Sequence, residues 1–401
     1  VRRDDTIVRL AGQGNGWYST WAADDRQYMS LNGGAGFEDQ SSQFFYSRLL
    51  AVSGGPEEPR FHDVPGYPSP GIPPASDAPF WGYGVLAVGS RLYLFLSTSN
   101  DPAERGAALG FPWRFVGAKL VFSDDGGRTW RNQDGTTPVR WVPWGERSRD
   151  DLVFYEEPQD TFSLPSVLQM GRGYEHNRDG YVYVYSPNGQ TEGTMNELVM
   201  FRVSLDRVLD RASYEYFAGS DAGVPQWSSH LGERAVVHTF PAGWVNTWMH
   251  PVGWQPSIVY NAPLGIYMMA NWSSGSGHGV DESSGRVEND MWFTKPSYLG
   301  FWVSKTPWGP WDQIHEEIAW TPDGDLAARC FHAQIPPKWI SSDGSSFWLV
   351  WSDYQVSDAE GLRRAMPKSD DPNDASEVIQ ALRAHMPHYG FNAQRVDLVI
   401  K

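Results

Sequence analysis

The chain has 401 residues, with 32 lysines and arginines against 48 aspartates and glutamates and a formal net charge of −16. That balance argues against a general nucleic-acid surface, no apolar run reaches the ~18 residues of a membrane span, and the single cysteine, Cys330, excludes an internal disulfide and a cysteine-based zinc site. Aromatic residues make up 14% of the chain; most are expected to pack between sheets, and the rest to offer stacking faces to sugar rings.

Five short segments set the organisation: residues 27–32 (Q-Y-M-S-L-N), 92–97 (L-Y-L-F-L-S), 181–186 (Y-V-Y-V-Y-S), 266–273 (I-Y-M-M-A-N-W-S) and 347–352 (F-W-L-V-W-S). Each is rich in aromatic, β-branched or other apolar residues that suit a pleated, half-buried surface. Each follows a turn: Asp24-Asp25, Gly89-Ser90, Asp179-Gly180, Pro263-Leu264-Gly265 and Asp343-Gly344. The spacing of roughly 65 to 90 residues is that of a repeat architecture. Further apolar segments follow at 46–56, 120–130, 198–217 and 301–311, and 394–400 reads as a closing strand. The expected fold is therefore all-β, one propeller domain over 1–401. Its blades span about 10–75, 76–160, 161–245, 246–325 and 326–401. The long connections 131–159 and 219–253 leave room for a sixth or seventh blade.

Within the second repeat, Ser123, Asp125, Gly127, Thr129 and Trp130 match the Asp-box, S-x-D-x-G-x-T-W. Its physics is a hairpin turn in which the aspartate holds backbone amides and the tryptophan packs beneath. Residues 56–79, rich in proline and glycine, form a surface connection. Residues 377–385 have helical periodicity after the capping candidate Ser376.

In a propeller the innermost strands begin around a central funnel. This ranks Trp17 and Tyr18; Trp81 and Tyr83; His250, Trp254 and Gln255; and Arg329, His332 and Gln334 as the first group of candidates. Strand alternation puts Cys330, His332 and Gln334 on one side. Loops on the same face carry Arg105, Trp113, Arg114, Glu192, His278, Asp281, Glu282, Arg286, Glu288, Asp290, Asp353 and Tyr354, and Glu156 and Glu157 precede the third innermost strand. His176, Arg178 and Asp179 fall on the opposite face. There is no P-loop, no G-x-G-x-x-G after a strand, no H-E-x-x-H and no G-x-S-x-G.

Four segments, N-G-W-Y-S-T-W-A-A-D-D, G-R-G-Y-E-H-N-R-D-G-Y-V-Y-V-Y-S, V-S-L-D-R-V-L-D-R-A-S-Y-E-Y-F-A-G and Q-I-P-P-K-W-I-S-S-D-G-S-S-F-W-L-V-W-S, together resemble a large family of uncharacterised propeller proteins that includes bacterial endo-D-arabinanases. More distantly, they are similar to β-propeller lyases that cleave rhamnose from glucuronate in plant gums. The resemblance runs from residue 14 to residue 399. The arabinanase branch has first-blade aspartates where this chain reads Gly14-Asn15-Gly16-Trp17 and Asn32-Gly33-Gly34. A glycosidase needs two carboxyl groups about 5 to 9.5 Å apart, so a hydrolase here would draw on Glu156, Glu157, Glu288 or Asp290. A uronate lyase instead needs a base for the proton α to the carboxylate, partners for the enolate, and a proton for the leaving oxygen.

The expectation is a carbohydrate-active lyase with His332 or His250 as base or acid and Tyr83 as the alternative proton donor. Arg329, Gln255 and Gln334 would hold the carboxylate, and Trp17, Tyr18, Trp81 and Trp254 would line the sugar site, with Glu156 and Glu157 beside it. The alternatives are a glycoside hydrolase and a non-catalytic sugar-binding propeller. A polysaccharide or oligosaccharide is the expected partner, with no nucleic acid and no membrane. The protein is expected to be a secreted or periplasmic monomer that requires no cofactor; a structural Ca2+ on a loop is left open.

Overall fold

A computed structural model describes residues 1–37, 43–70, 77–99, 115–189, 196–241, 255–273, 280–281, 286–287, 295–367 and 375–400. Five antiparallel sheets form a five-bladed β-propeller. Blade 1 consists of Gln13–Asn15 with Ser19–Trp21, then Gln27–Gly36, Arg48–Ser53 and Arg60–Asp63; blade 2 of Phe80–Val88, Arg91–Ser99, Phe115–Ser123 and Arg131–Asn132. Blade 3 starts at Ser166–Val167 and continues through Tyr181–Pro187, Glu197–Ser204, Glu215–Asp221 and Val224–Ser228. Blade 4 is Ser257–Asn261, Ile266–Ser273, Tyr298–Ser304 and Asp312–Glu317.

Blade 5 holds the ring shut. Its strands Cys330–Gln334, Ser346–Asp353 and Asn392–Asp397 are completed by Val8–Arg9 from the other end of the chain, with Val8 opposite Ala393 and Arg9 opposite Asn392. The segment read as a closing strand is thus the third of its blade, and the N-terminal strand supplies the fourth. Pairing the two chain ends removes a seam along which blades would separate.

The long connections 131–159 and 219–253 do not build further blades among the described residues. Phe154–Tyr155 adds to the third strand of blade 2, while Val224–Ser228 and His238–Thr239 add to blade 3. The second strand of every blade is almost entirely buried, because its two faces pack against the two neighbouring blades. Tyr183, Tyr185, Phe201 and Trp302 are among the side chains that fill these gaps.

Two helices, Ala359–Ala365 and Ala375–His385, lie between the second and third strands of blade 5. The second is anchored to blade 1, where the Gln13 amide donates to the Ile379 carbonyl. The turn from Ser123 to Trp130 is tightly bonded. Asp125 accepts from the Arg128 and Thr129 amides at 3.0 and 2.9 Å, and from the Ser123 and Thr129 hydroxyls at 2.8 Å each. The Trp130 indole donates back to Gly127 O at 3.1 Å.

Candidate functional site

All five innermost strands converge on a narrow cavity along the propeller axis. Tyr18 and Ser19 line it from blade 1, Tyr83 and Val85 from blade 2, Ser166 and Gln169 from blade 3, Ser257 and Ile258 from blade 4, and Gln334 from blade 5. Such strands would ordinarily alternate in register, but here they are interrupted. In blade 2 the pairing slips between Gly82 and Gly84, which leaves Tyr83 as an extra residue. In blade 5 it slips between Phe331 and Gln334, and His332 inside that slip has φ +54°. A bulge turns a side chain away from the face that alternation would give it. A left-handed backbone at a non-glycine residue costs roughly 1–3 kcal/mol and persists only where the surroundings enforce it.

The surroundings are aromatic. The His332 ring lies 5.7 Å from Tyr18, 6.1 Å from Tyr83, 5.5 Å from Trp272 and 4.8 Å from Phe331, centroid to centroid. His332 is only 3% exposed, and neither ring nitrogen has a hydrogen-bond partner among the described residues. Burial pulls its pKa down to about 3, so the imidazole is neutral. Tyr18 and Tyr83 are equally buried, and desolvation pushes both phenols well above their ordinary value, so both keep their protons. The Tyr18 hydroxyl donates to Gln255 Oε1 at 2.7 Å, and Gln255 Nε2 is a buried donor without a partner among the described residues. Gln334 Nε2 and Ser166 Oγ are likewise unpartnered. Unsatisfied buried polar atoms are costly and infrequent in folded proteins. On the axis, Ser166, Gln255, His332 and Gln334 each carry such an atom.

Both asparagines that stand in place of the expected aspartates are structural. Asn32 Nδ2 donates to Gly82 O at 3.1 Å, and Asn32 Oδ1 accepts from Gly82 N at 2.7 Å, which ties blade 1 to the residue before Tyr83. Asn15 Nδ2 donates to the Tyr389 hydroxyl at 2.8 Å, and that hydroxyl donates to Gly33 O at 2.7 Å. The first pair requires a donor and an acceptor in one planar group, which a carboxylate cannot supply. Gly82 itself tolerates no side chain, since a Cβ there would sit 2.5 Å from Ser47 Oγ.

The residues picked from the sequence fall in different places. His332, Tyr83, Tyr18 and Gln255 come together, with Gln334 in the cavity beneath them. Trp81 is half-buried and lies parallel to Tyr83, 6.2 Å away. Trp17 belongs to the core rather than to a sugar site: it is fully buried, its indole donates to Ser352 Oγ and Gly390 O, and Phe37, Phe61 and Phe391 surround it. Arg329 is turned to the carbonyls of Leu326 and Ala328 at 3.0 and 2.7 Å. Glu156 is exposed, and Glu157 is held between Arg149 at 3.2 Å and Arg211 at 2.7 Å, away from the cavity lining. Asp353 is buried, and its Oδ1 is capped by the amides of Arg329 and Gln355. His250 and Trp254 lie outside the described residues, as do Arg105, Trp113, Arg114, Glu192, His278, Glu282, Glu288 and Asp290.

Trp272 and Ser166 were not picked out, and Asn32 was read only as a missing acid. Trp272 belongs to the fourth repeated segment and Ser166 begins the third innermost strand, so position in the repeat was the available signal. Among the described residues no three His, Cys, Asp or Glu side chains come together to hold a metal ion.

No protein-family model and no curated protein matches the chain, so the resemblance to arabinanases and gum lyases has no sequence match behind it. Similar solved structures are glycoside-hydrolase propellers. GH43B of the Bacteroides ovatus xyloglucan PUL is 12% identical with a TM-score of 0.47, and xylan beta-1,4-xylosidase from Bacillus halodurans is 10% identical at 0.46. Each match covers 87% of this chain and 51% of the other, so the chain spans about half the length of those proteins. The alpha-L-arabinofuranosidase PaAbf62A from Podospora anserina, solved with cellotriose, is 9% identical at a TM-score of 0.43, over 98% of this chain and 96% of that one.

Proposed function

We propose that the protein is a carbohydrate-active enzyme that breaks a glycosidic bond at the mouth of the axial cavity, by β-elimination next to a uronate carboxylate. The observation that supports this is His332: a neutral imidazole with no partner among the described residues, held in a left-handed bulge beside two protonated phenols. At the low TM-scores of the similar structures, the choice of chemistry rests on this chain's own residues.

In this reading His332 takes the proton α to the carboxylate. A neutral imidazole is the base form, and its removal from water and from competing donors leaves a ring nitrogen free for the substrate. Electrons from the broken C–H bond form the C=C bond as the glycosidic C–O bond breaks. Tyr83 gives its hydroxyl proton to the departing oxygen. Gln255 Nε2, oriented by the Tyr18 bond on its other end, donates to the carboxylate as enolate charge develops. Trp81 offers its ring to the sugar beside Tyr83.

Hydrolysis is the second reading, the chemistry after which the similar xylosidase and arabinofuranosidase structures are named. It requires a pair of carboxyl groups, and Glu288 and Asp290, which lie outside the described residues, are the acids the sequence reading leaves for it. The product separates the two chemistries. Uronate-bearing gums and arabinans are incubated with the protein and read for near-ultraviolet absorbance and for reducing ends. Absorbance rising with cleavage is the expected result. Reducing ends without absorbance would replace elimination by hydrolysis, and silence on both would leave a sugar-binding propeller.

A further inference from the structure

The elimination leaves two debts of opposite sign: His332 has gained a proton and Tyr83 has lost one. We propose that the axial cavity holds an ordered water that reprotonates Tyr83, and that Ser166 and Gln334 are the residues that position it. This rests on the elimination reading for its role, and on the cavity alone for the site.

The cavity is in contact with Tyr18 and Tyr83 and continues down the axis past Val85, Val167 and Ile258. Two of its lining side chains carry polar atoms that the protein does not satisfy. Ser166 Oγ and Gln334 Nε2 have no hydrogen-bond partner among the described residues, and the residues are only 4% exposed each. Two other polar side chains lining the same space have protein partners: Gln169 Nε2 donates to Val85 O and Val167 O, and Ser257 Oγ accepts from Ile335 N. A buried water is stable where it finds two to four polar partners, and an unsatisfied hydroxyl and amide facing one polar space supply them. Ser166 both donates and accepts, whereas the Gln334 amide nitrogen only donates. A water that accepts from Gln334 keeps its own protons free, one for Ser166 Oγ and one for the phenolate of Tyr83.

The steps balance. The Tyr83 phenolate takes a proton from the water, the resulting hydroxide is neutralised by the proton that leaves the His332 imidazolium, and no net charge remains at the site. Without the water the phenolate is stranded among aromatic rings, where burial makes its charged form unfavourable.

The first test is a high-resolution crystal structure of the whole wild-type chain without substrate. The expected result is density for a water bonded to Ser166 Oγ and Gln334 Nε2; a dry cavity, or a water bonded to neither, overturns the proposal. The second test measures Ser166→Ala and Gln334→Met on the substrate that the wild type cleaves. Each is expected to lower kcat by roughly tenfold with little change in KM, and to raise the solvent deuterium isotope effect on kcat. Wild-type kcat and isotope effect in both variants would overturn the relay. Water present in a protein that forms no unsaturated product would sink the elimination reading and leave the water site standing, whereas a dry cavity in an active lyase would do the reverse.

Discussion

The turn from Ser123 to Trp130 and the ring of side chains around His332 both depend on polar groups in unusual backbone, and they differ in every other respect. In the turn, Asp125 is saturated. Two amides and two hydroxyls converge on one carboxylate, and these bonds hold its pKa down to about 2, with the Thr129 amide as the largest cause. The positive φ values there belong to Gly126 and Gly127, which adopt them without penalty. At the axis the positive φ belongs to a histidine, both ring nitrogens lack partners among the described residues, and the pKa falls to about 3 through burial alone. A region built for stability closes its hydrogen bonds. A region that leaves them open at the cost of backbone strain has been kept open for something else.

The comparison is broken most severely by changing the imidazole. His332→Gln is expected to lower kcat by about 10²–10⁴-fold, the range for removing a general base. The same variant is expected to alter stability in a defined pH window. In the wild type, the unfolded histidine takes up a proton near its ordinary pKa of about 6.5, while the folded one does so only at about 3. Stability is therefore fully present above pH ~6.5 and is lost as the pH falls toward about 3, by on the order of a few kcal/mol. The glutamine variant should lose less over that window, as read by urea unfolding at several pH values. An identical pH dependence would mean that His332 titrates alike in the folded and the unfolded protein.

Tyr83→Phe removes only a hydroxyl and keeps the ring stacked on Trp81. A loss of about 10²-fold or more in kcat with unchanged unfolding is expected. An active phenylalanine variant would remove Tyr83 as proton donor and leave Tyr18 to be tested.

Asn32→Asp restores the acid expected from the family resemblance. It should nonetheless destabilise the protein by about 1–3 kcal/mol, because a carboxylate would face the Gly82 carbonyl that Asn32 Nδ2 now bonds. Thermal melting measures this, and a gain in hydrolysis would contradict the structural role given to Asn32.

The smallest effect is expected in the turn. Asp125→Ala should lower Tm by a few degrees, the loss of about one or two capping bonds in a protein of this size, and leave kcat unchanged. A fall in kcat comparable to that of His332→Gln would erase the contrast between the two regions.

Much of this fold was legible in the sequence. The segments at 27–32, 92–97, 181–186, 266–273 and 347–352 each lie within the second strand of a blade, because strands buried on both faces carry an apolar signal strong enough to read alone. The innermost strands were less legible. Ser166–Val167 is only two residues long, and the strand at Cys330–Gln334 is bulged. Period-two reasoning put Cys330, His332 and Gln334 on one side, but the slip at His332 separates them. Cys330 packs in the blade 5 core, His332 sits among the aromatic rings, and Gln334 lines the cavity. A bulge has no composition signature of its own, so the feature that builds the site is the one that alternation cannot foresee. Trp17 misled for a related reason: an aromatic residue at the start of an innermost strand serves equally as a platform or as core, and its position depends on the turn at Gly16, where φ is +75°.

The central claim is that the axial histidine performs proton transfer on a uronate. The most direct measurement is kcat/KM against pH for wild-type protein on a uronate-bearing glycan, followed by the absorbance of the unsaturated product. With His332 as the base in the free enzyme, the acid limb should break near pH 3, more than two units below the ordinary imidazole range, and His332→Gln should abolish the signal. An acid limb at pH 6 to 7, or a His332→Gln variant with the wild-type profile, would contradict the account.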